Sequence, residues 1–131
     1  MIEMIEEEFL PYELVVPLVI AEFPYQNILL WKGEPSEDYN QLSEKCYPLI
    51  TINQALTWIR LRHYYHIVIT EAYNGVMTGI CNEGELISRY TWGYTLHNLV
   101  THEEEYFSAG YPSWEKAALK GIAKLLEDEK I

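Results

Sequence analysis

A chain of 131 residues with 49% apolar and 22% charged side chains is long enough for one real core, and disorder is not expected of it. Its net charge of -11, from 20 acidic against 9 basic residues, argues against a nucleic-acid binder, which needs a basic face to displace phosphate counterions. The same imbalance argues against an anionic membrane surface.

Two cysteines, Cys46 and Cys81, with no CxxC pattern fit free thiols in a reducing cytosol. The longest apolar run, residues 14–21, is short of a membrane span and contains Pro17, and the acidic N-terminus lacks the basic region of a signal peptide. The expectation is a cytoplasmic, unanchored protein. The charge is uneven: residues 1–50 hold ten acidic and two basic side chains, residues 51–131 ten and seven. Such an acidic front end is either a solubilising surface or a means of engaging a basic partner.

In chain order, residues 1–9 are an acidic lead-in expected to fray. Residues 11–24 fit either a strand, by their β-branched content, or a short helix with Glu13 near its start and Phe23-Pro24 as its stop. Residues 26–33, ended by Gly33, suit a short buried strand, and residues 34–48 a polar loop. Thr51 and Gln54 match the capping box, followed by Ile52, Ala55, Leu56 and Ile59 on one apolar face, with Trp58 and Leu61 beside it. This helix should stop near His63. From His66 the period changes to two. Asn74-Gly75 is a hairpin signal, residues 76–82 suit a second strand, and residues 86–96 a third with Tyr90, Trp92, Tyr94 and Leu96 on one face. Residues 97–112 read as an irregular connector. Ser113 then caps a last helix whose face carries Trp114, Ala118, Ile122 and Leu125, with Leu126 beside them and Lys116, Lys120 and Lys124 opposite.

The fold class is therefore α+β: a single domain with a three-stranded antiparallel meander, two main flanking helices, an N-terminal helix or strand and one short strand. A sheet must bury its apolar side, so both helices should pack on one face, with Trp58 and Trp114 in or at the edge of a shared core.

Three sequence blocks also resemble a family of small, uncharacterised proteins encoded by phages, prophages and mobile elements of gut Bacteroidetes. The matching residues are Tyr12, Glu13 and Leu14; then Thr51, Gln54, Ala55, Trp58 and Arg60; then Tyr111, Ser113, Trp114, Glu115, Ala117, Gly121 and Ile122. Ile50 stands where the family usually has Pro, and Leu61 where it has Glu. The resemblance implies an α+β fold and a mobile-element origin, and no activity, since the blocks are packing and capping signals.

Candidate chemistry is sparse. His63 and His66 straddle a helix end, so their side chains should diverge, and His97 and His102 join them only if the fold brings them there. The preferred reading is a structural corner, with the histidines against the helix dipole and Tyr64 and Tyr65 closing over the core edge. Cys81 lies near Asn82, Glu83 and Glu85, neighbours that do not activate a thiol, and reads as a buried structural cysteine; Cys46 is expected in an exposed loop. Glu103, Glu104 and Glu105 read as a solvated charge run.

No catalytic, cofactor-binding or metal residue is assigned. The leading expectation is a non-enzymatic protein-binding or regulatory protein of a mobile element, in one version an acidic inhibitor of a basic host or defence protein. The competing one is a small metal-dependent or thiol enzyme using His63, His66, His97, His102 or Cys81. A protein partner is expected, and a homo-oligomer is compatible with the sequence.

Overall fold

The computed structural model describes residues 9–28, 30–33, 42–73 and 90–131. The Asn74-Gly75 turn, the strand expected over residues 76–82 with Cys81, and residues 86–89 lie outside the described residues, as do residues 1–8. Phe9, expected within the fraying lead-in, bridges Thr51, and the Leu10 amide donates to Ile50 O at 2.8 Å.

Of the two readings of residues 11–24, the helix is the one formed, over Tyr12–Ile20. Helix α1, Tyr12–Ile20, buries Val15 and Leu18 completely, and Pro17 sits inside it without an amide to give back one turn. Its end is well closed. The Glu22 amide donates to Val19 O and the Phe23 amide to Leu18 O, each at 3.0 Å, with Glu22 in the left-handed region at φ 73°. Phe23 and Leu18 join the same buried cluster.

The strand expected over residues 26–33 is present among the described residues as a short, partly exposed piece. Tyr25–Asn27 form a 3-10 turn, and Trp31–Lys32 extend, as β1, against β2, Tyr47–Pro48. Leu30 is exposed, and the Trp31 indole N–H donates to Ile28 O at 3.0 Å, bracing the turn. A short apolar run has no period to choose its conformation, and here the aromatic bracing decides. The expected loop of residues 34–48 is correspondingly shortened by β2 at its end.

Helix α2, Ile52–Trp58, starts as the sequence implies. The Gln54 amide donates to Thr51 Oγ1 at 3.0 Å, and the Thr51 amide to Gln54 Oε1 at 2.9 Å. Ile52, Ala55 and Ile59 are buried. The helix runs on as a π-helical turn, Ile59–His63, and ends at Tyr64, left-handed at φ 61°, ψ 34°.

Strands β3 (Tyr65–Tyr73), β4 (Tyr90–Asn98) and β5 (Glu103–Tyr111) form an antiparallel sheet in the order β3-β4-β5. The register places Tyr65, Ile67, Tyr94 and Leu96, all buried, on the inner face, with Trp92 on the same side. The connector expected over residues 97–112 is corrected: it holds the end of β4, a turn and all of β5. Glu, Ser, Ala and Gly are poor strand formers, and β5 carries irregularities opposite Leu96/His97 and Trp92/Gly93 that leave Glu105 and Gly110 without a partner across the ladder. These breaks erase the period of two from the sequence. Pairing with β4 makes the strand.

Helix α3, Trp114–Glu127, begins with the Lys116 amide on Ser113 Oγ at 3.1 Å and lies over the inner face, against β3, β4 and β5, with α2 and α1 beside it. Its buried residues are Ala117, Ala118, Gly121, Ile122 and Leu125. A Cβ on Gly121 would stand 2.7 Å from Ile67 Cγ2, so only glycine allows the helix this close to the sheet. Trp58 and Trp114 are both partly buried at the core edge, as expected, yet they line different grooves. Trp58 packs edge-on against Phe23, ring centroids 5.2 Å apart. Trp114 faces Leu56, Arg60 and the outer margin of β3.

Candidate functional site

Two surfaces stand out. The first is the sheet face that α3 leaves uncovered. Cross-strand register aligns His66 with His97 and His97 with Glu104, and Val68 with Thr95 and Thr95 with Phe107, so these side chains share that outer face. Phe107 is 61% exposed. Glu103, Glu104, Glu105, Tyr106 and Phe107 are all exposed, but of these the register puts only Glu104 and Phe107 on the outer face, with Tyr106 opposite Leu96 on the side that α3 covers. The glutamates expected in a loop are thus fixed on a strand, though still solvated. The outer face of β5 carries the Glu104 carboxylate and the exposed Phe107 ring.

At the inner end of β5, Glu105 is held in place. Its Oε1 accepts from the Tyr65 hydroxyl at 2.8 Å, and its Oε2 from Asn98 Nδ2 at 2.7 Å. Asn98 Oδ1 in turn accepts from the amides of Val100 and Thr101, shaping the β4–β5 turn. The Asn98 amide and then the Tyr65 hydroxyl hold the Glu105 carboxyl below its ordinary value. Farther along, Tyr94 stacks on Tyr111 with centroids 5.8 Å apart, and burial first, then Tyr111, push the Tyr94 phenol up. The ammonium of Lys124 lies 4.6 Å over the Tyr106 ring and 3.3 Å from Asp128. These contacts join side chains of β3, β4, β5 and α3.

The second surface is the corner where α2 gives way to β3. His63 turns back on Trp58, ring centroids 4.7 Å apart, and its Nε2 is buried without a hydrogen-bond partner among the described residues. Burial, and then Arg62, lower its pKa, so the ring is neutral near pH 7. His66 is on the exposed sheet face, so the two side chains diverge as expected. His97 is the cross-strand neighbour of His66, while His102 sits exposed in the β4–β5 turn at φ 64°. Tyr65 closes over the core as expected, but Tyr64 does not: its left-handed backbone turns the ring outward, 55% exposed. Cys46 is half-buried next to β2 rather than in an open loop. Among the described residues, no three His, Cys, Asp or Glu side chains are grouped to hold a metal ion, and no helix is long and apolar enough to cross a membrane.

Sequence reasoning missed the outer face because it missed β5. The signal available was Tyr106-Phe107, two aromatics inside a run otherwise poor in strand formers. Two open grooves flank α2, of about 490 and 290 Å³, divided by the ridge of Asn53 and Thr57, which line both. The larger is neutral, formed by Phe23, Pro24, Ile28 and Trp58 with the polar edge of α2. Comparison of this chain with protein-family models, curated proteins and solved structures found no match.

Proposed function

We propose that the chain is a non-enzymatic protein-binding protein of a mobile element, and that it engages a basic partner through the outer face of its three-stranded sheet. The observation that supports this is the exposure of Glu104 and Phe107 on β5, on a face that α3 does not cover. The Glu104 carboxylate on that face steers a cationic surface into place, and a large exposed aromatic supplies the desolvated anchor. The two irregularities in β5 twist its edge, which disfavours strand addition and leaves the face as the docking surface. The net charge of -11 favours a basic partner over an acidic one, as in an inhibitor of a basic host or defence protein. The mobile-element origin rests on the three sequence blocks.

The test is to purify the tagged protein from its native host, identify what copurifies by mass spectrometry, and titrate the purified partner calorimetrically. Phe107→Ser and Glu104→Lys are each expected to weaken binding at least about tenfold, some 1.4 kcal/mol, without lowering the melting temperature. A partner that binds both variants like the parent protein overturns the proposal.

A further inference from the structure

We infer that the corner formed by the π-helical turn and the β4–β5 turn is a self-association surface, and that its occupant is a second copy of this chain. The inference is independent of the outer sheet face. Three local costs meet at this corner: a π-helical turn, a tyrosine held left-handed at φ 61°, and a buried His63 Nε2 with no partner among the described residues. Structure that persists against such costs concentrates at functional surfaces.

The same corner gathers exposed apolar side chains. Leu61 is 67% exposed, Tyr64 55% and Val100 69%. The Leu99 amide donates to Tyr64 O at 2.8 Å, which ties the two turns into one surface.

Charge identifies the occupant. Exposed Arg62 follows Leu61 on the helical side, and exposed Glu103 follows the turn on the hairpin side. A partner carrying one sign of charge meets repulsion from one half of this patch. A second copy turned by a two-fold axis sets the basic half of each against the acidic half of the other, around a shared apolar centre, as an isologous interface requires. The net charge of -11 on each copy opposes approach from a distance, an effect screened beyond about 8 Å at physiological salt.

Sedimentation equilibrium between roughly 5 and 500 µM protein, at about 0.15 M salt, tests this over the range where a small interface associates. The parent protein is expected to form a reversible dimer. Val100→Asp should raise the dissociation constant at least about tenfold. Arg62→Glu and Glu103→Lys should each weaken the dimer, and the two combined should restore it, with unchanged thermal midpoints showing that all variants fold. A protein monomeric across the range, a dimer indifferent to Val100→Asp, or a monomer that holds a different protein at this corner overturns the inference.

Discussion

Tyr65 and Glu105, 40 residues apart in the chain, share a 2.8 Å hydrogen bond that joins the first strand of the sheet to the last. The bond crosses β4, and Asn98 on that strand completes it from the other carboxylate oxygen. Because the Glu105 carboxyl is held below its ordinary value, first by Asn98 and then by Tyr65, its contribution to stability has a definite direction with pH. It is fully present above the unfolded-state value of about 4.3 and is lost as pH falls through the lower folded value. Glu105→Gln should therefore flatten the acid side of the stability profile. Urea midpoints measured at neutral pH and in steps below about pH 4.5 check this. A variant that tracks the parent at every step contradicts it.

The alkaline side depends on a different residue. Burial, and secondarily Tyr111, raise the Tyr94 phenol, so the folded state holds its proton beyond the pH at which the unfolded chain releases it. Stability from this term is intact below about pH 10 and declines as pH rises toward the folded value. Tyr94→Phe removes the titrating group and should make the thermal midpoint less sensitive to pH above about 10. An equally steep alkaline loss in that variant would place the cause elsewhere.

At the end of α1, Glu22 occupies a left-handed position at φ 73° that glycine fills without steric cost. Its side chain is exposed, so little packing is lost on replacement. Relief of roughly 1–2 kcal/mol of backbone strain is offset by the greater freedom glycine gives the unfolded chain, about 0.4–1 kcal/mol. Glu22→Gly is expected to stabilise the protein by about 0.5–1 kcal/mol in denaturant unfolding. A loss of stability would mean that the glutamate makes a contact worth more than the strain.

What was legible in the sequence follows the physics of each element. The caps at Thr51 and Ser113 could be read because a hydroxyl and its target amide lie three residues apart. The inward face of Trp92, Tyr94 and Leu96 could be read because a regular strand keeps its period of two. Strand β5 could not, since its conformation is supplied by β4 and its period is broken at Glu105 and Gly110. Residues 11–24 stayed open because Pro17 weakens the helical reading, while the feature that rescues the helix, the closure through Glu22 and Phe23, is a backbone geometry with no glycine to announce it. The outer sheet face was hidden along with β5. At the helix–strand corner, the sequence located the turn but misassigned Tyr64, whose left-handed conformation is unusual for an aromatic residue.

Gly121 sets two effects of opposite sign against each other. In the middle of α3, alanine is preferred over glycine by about 1 kcal/mol. Against the sheet, the added Cβ would meet Ile67 Cγ2 at 2.7 Å and the Tyr94 ring at 3.4 Å. Ile67 and Tyr94 are both buried, and the methyl is close to the backbone of a β-branched side chain, so it cannot swing away freely. Overpacking of this kind costs about 1–3 kcal/mol. The steric term should win, and Gly121→Ala is expected to destabilise the protein by about 0.5–2 kcal/mol in urea unfolding. The explanation has a sharper test in a double-mutant cycle. In an Ile67→Ala background the obstructing methyl is gone, and only the helix preference and an ordinary contact with Tyr94 remain. There Gly121→Ala should become neutral or stabilising by up to about 1 kcal/mol. If the change is equally damaging in both backgrounds, the closeness of α3 to Ile67 is not what the glycine serves.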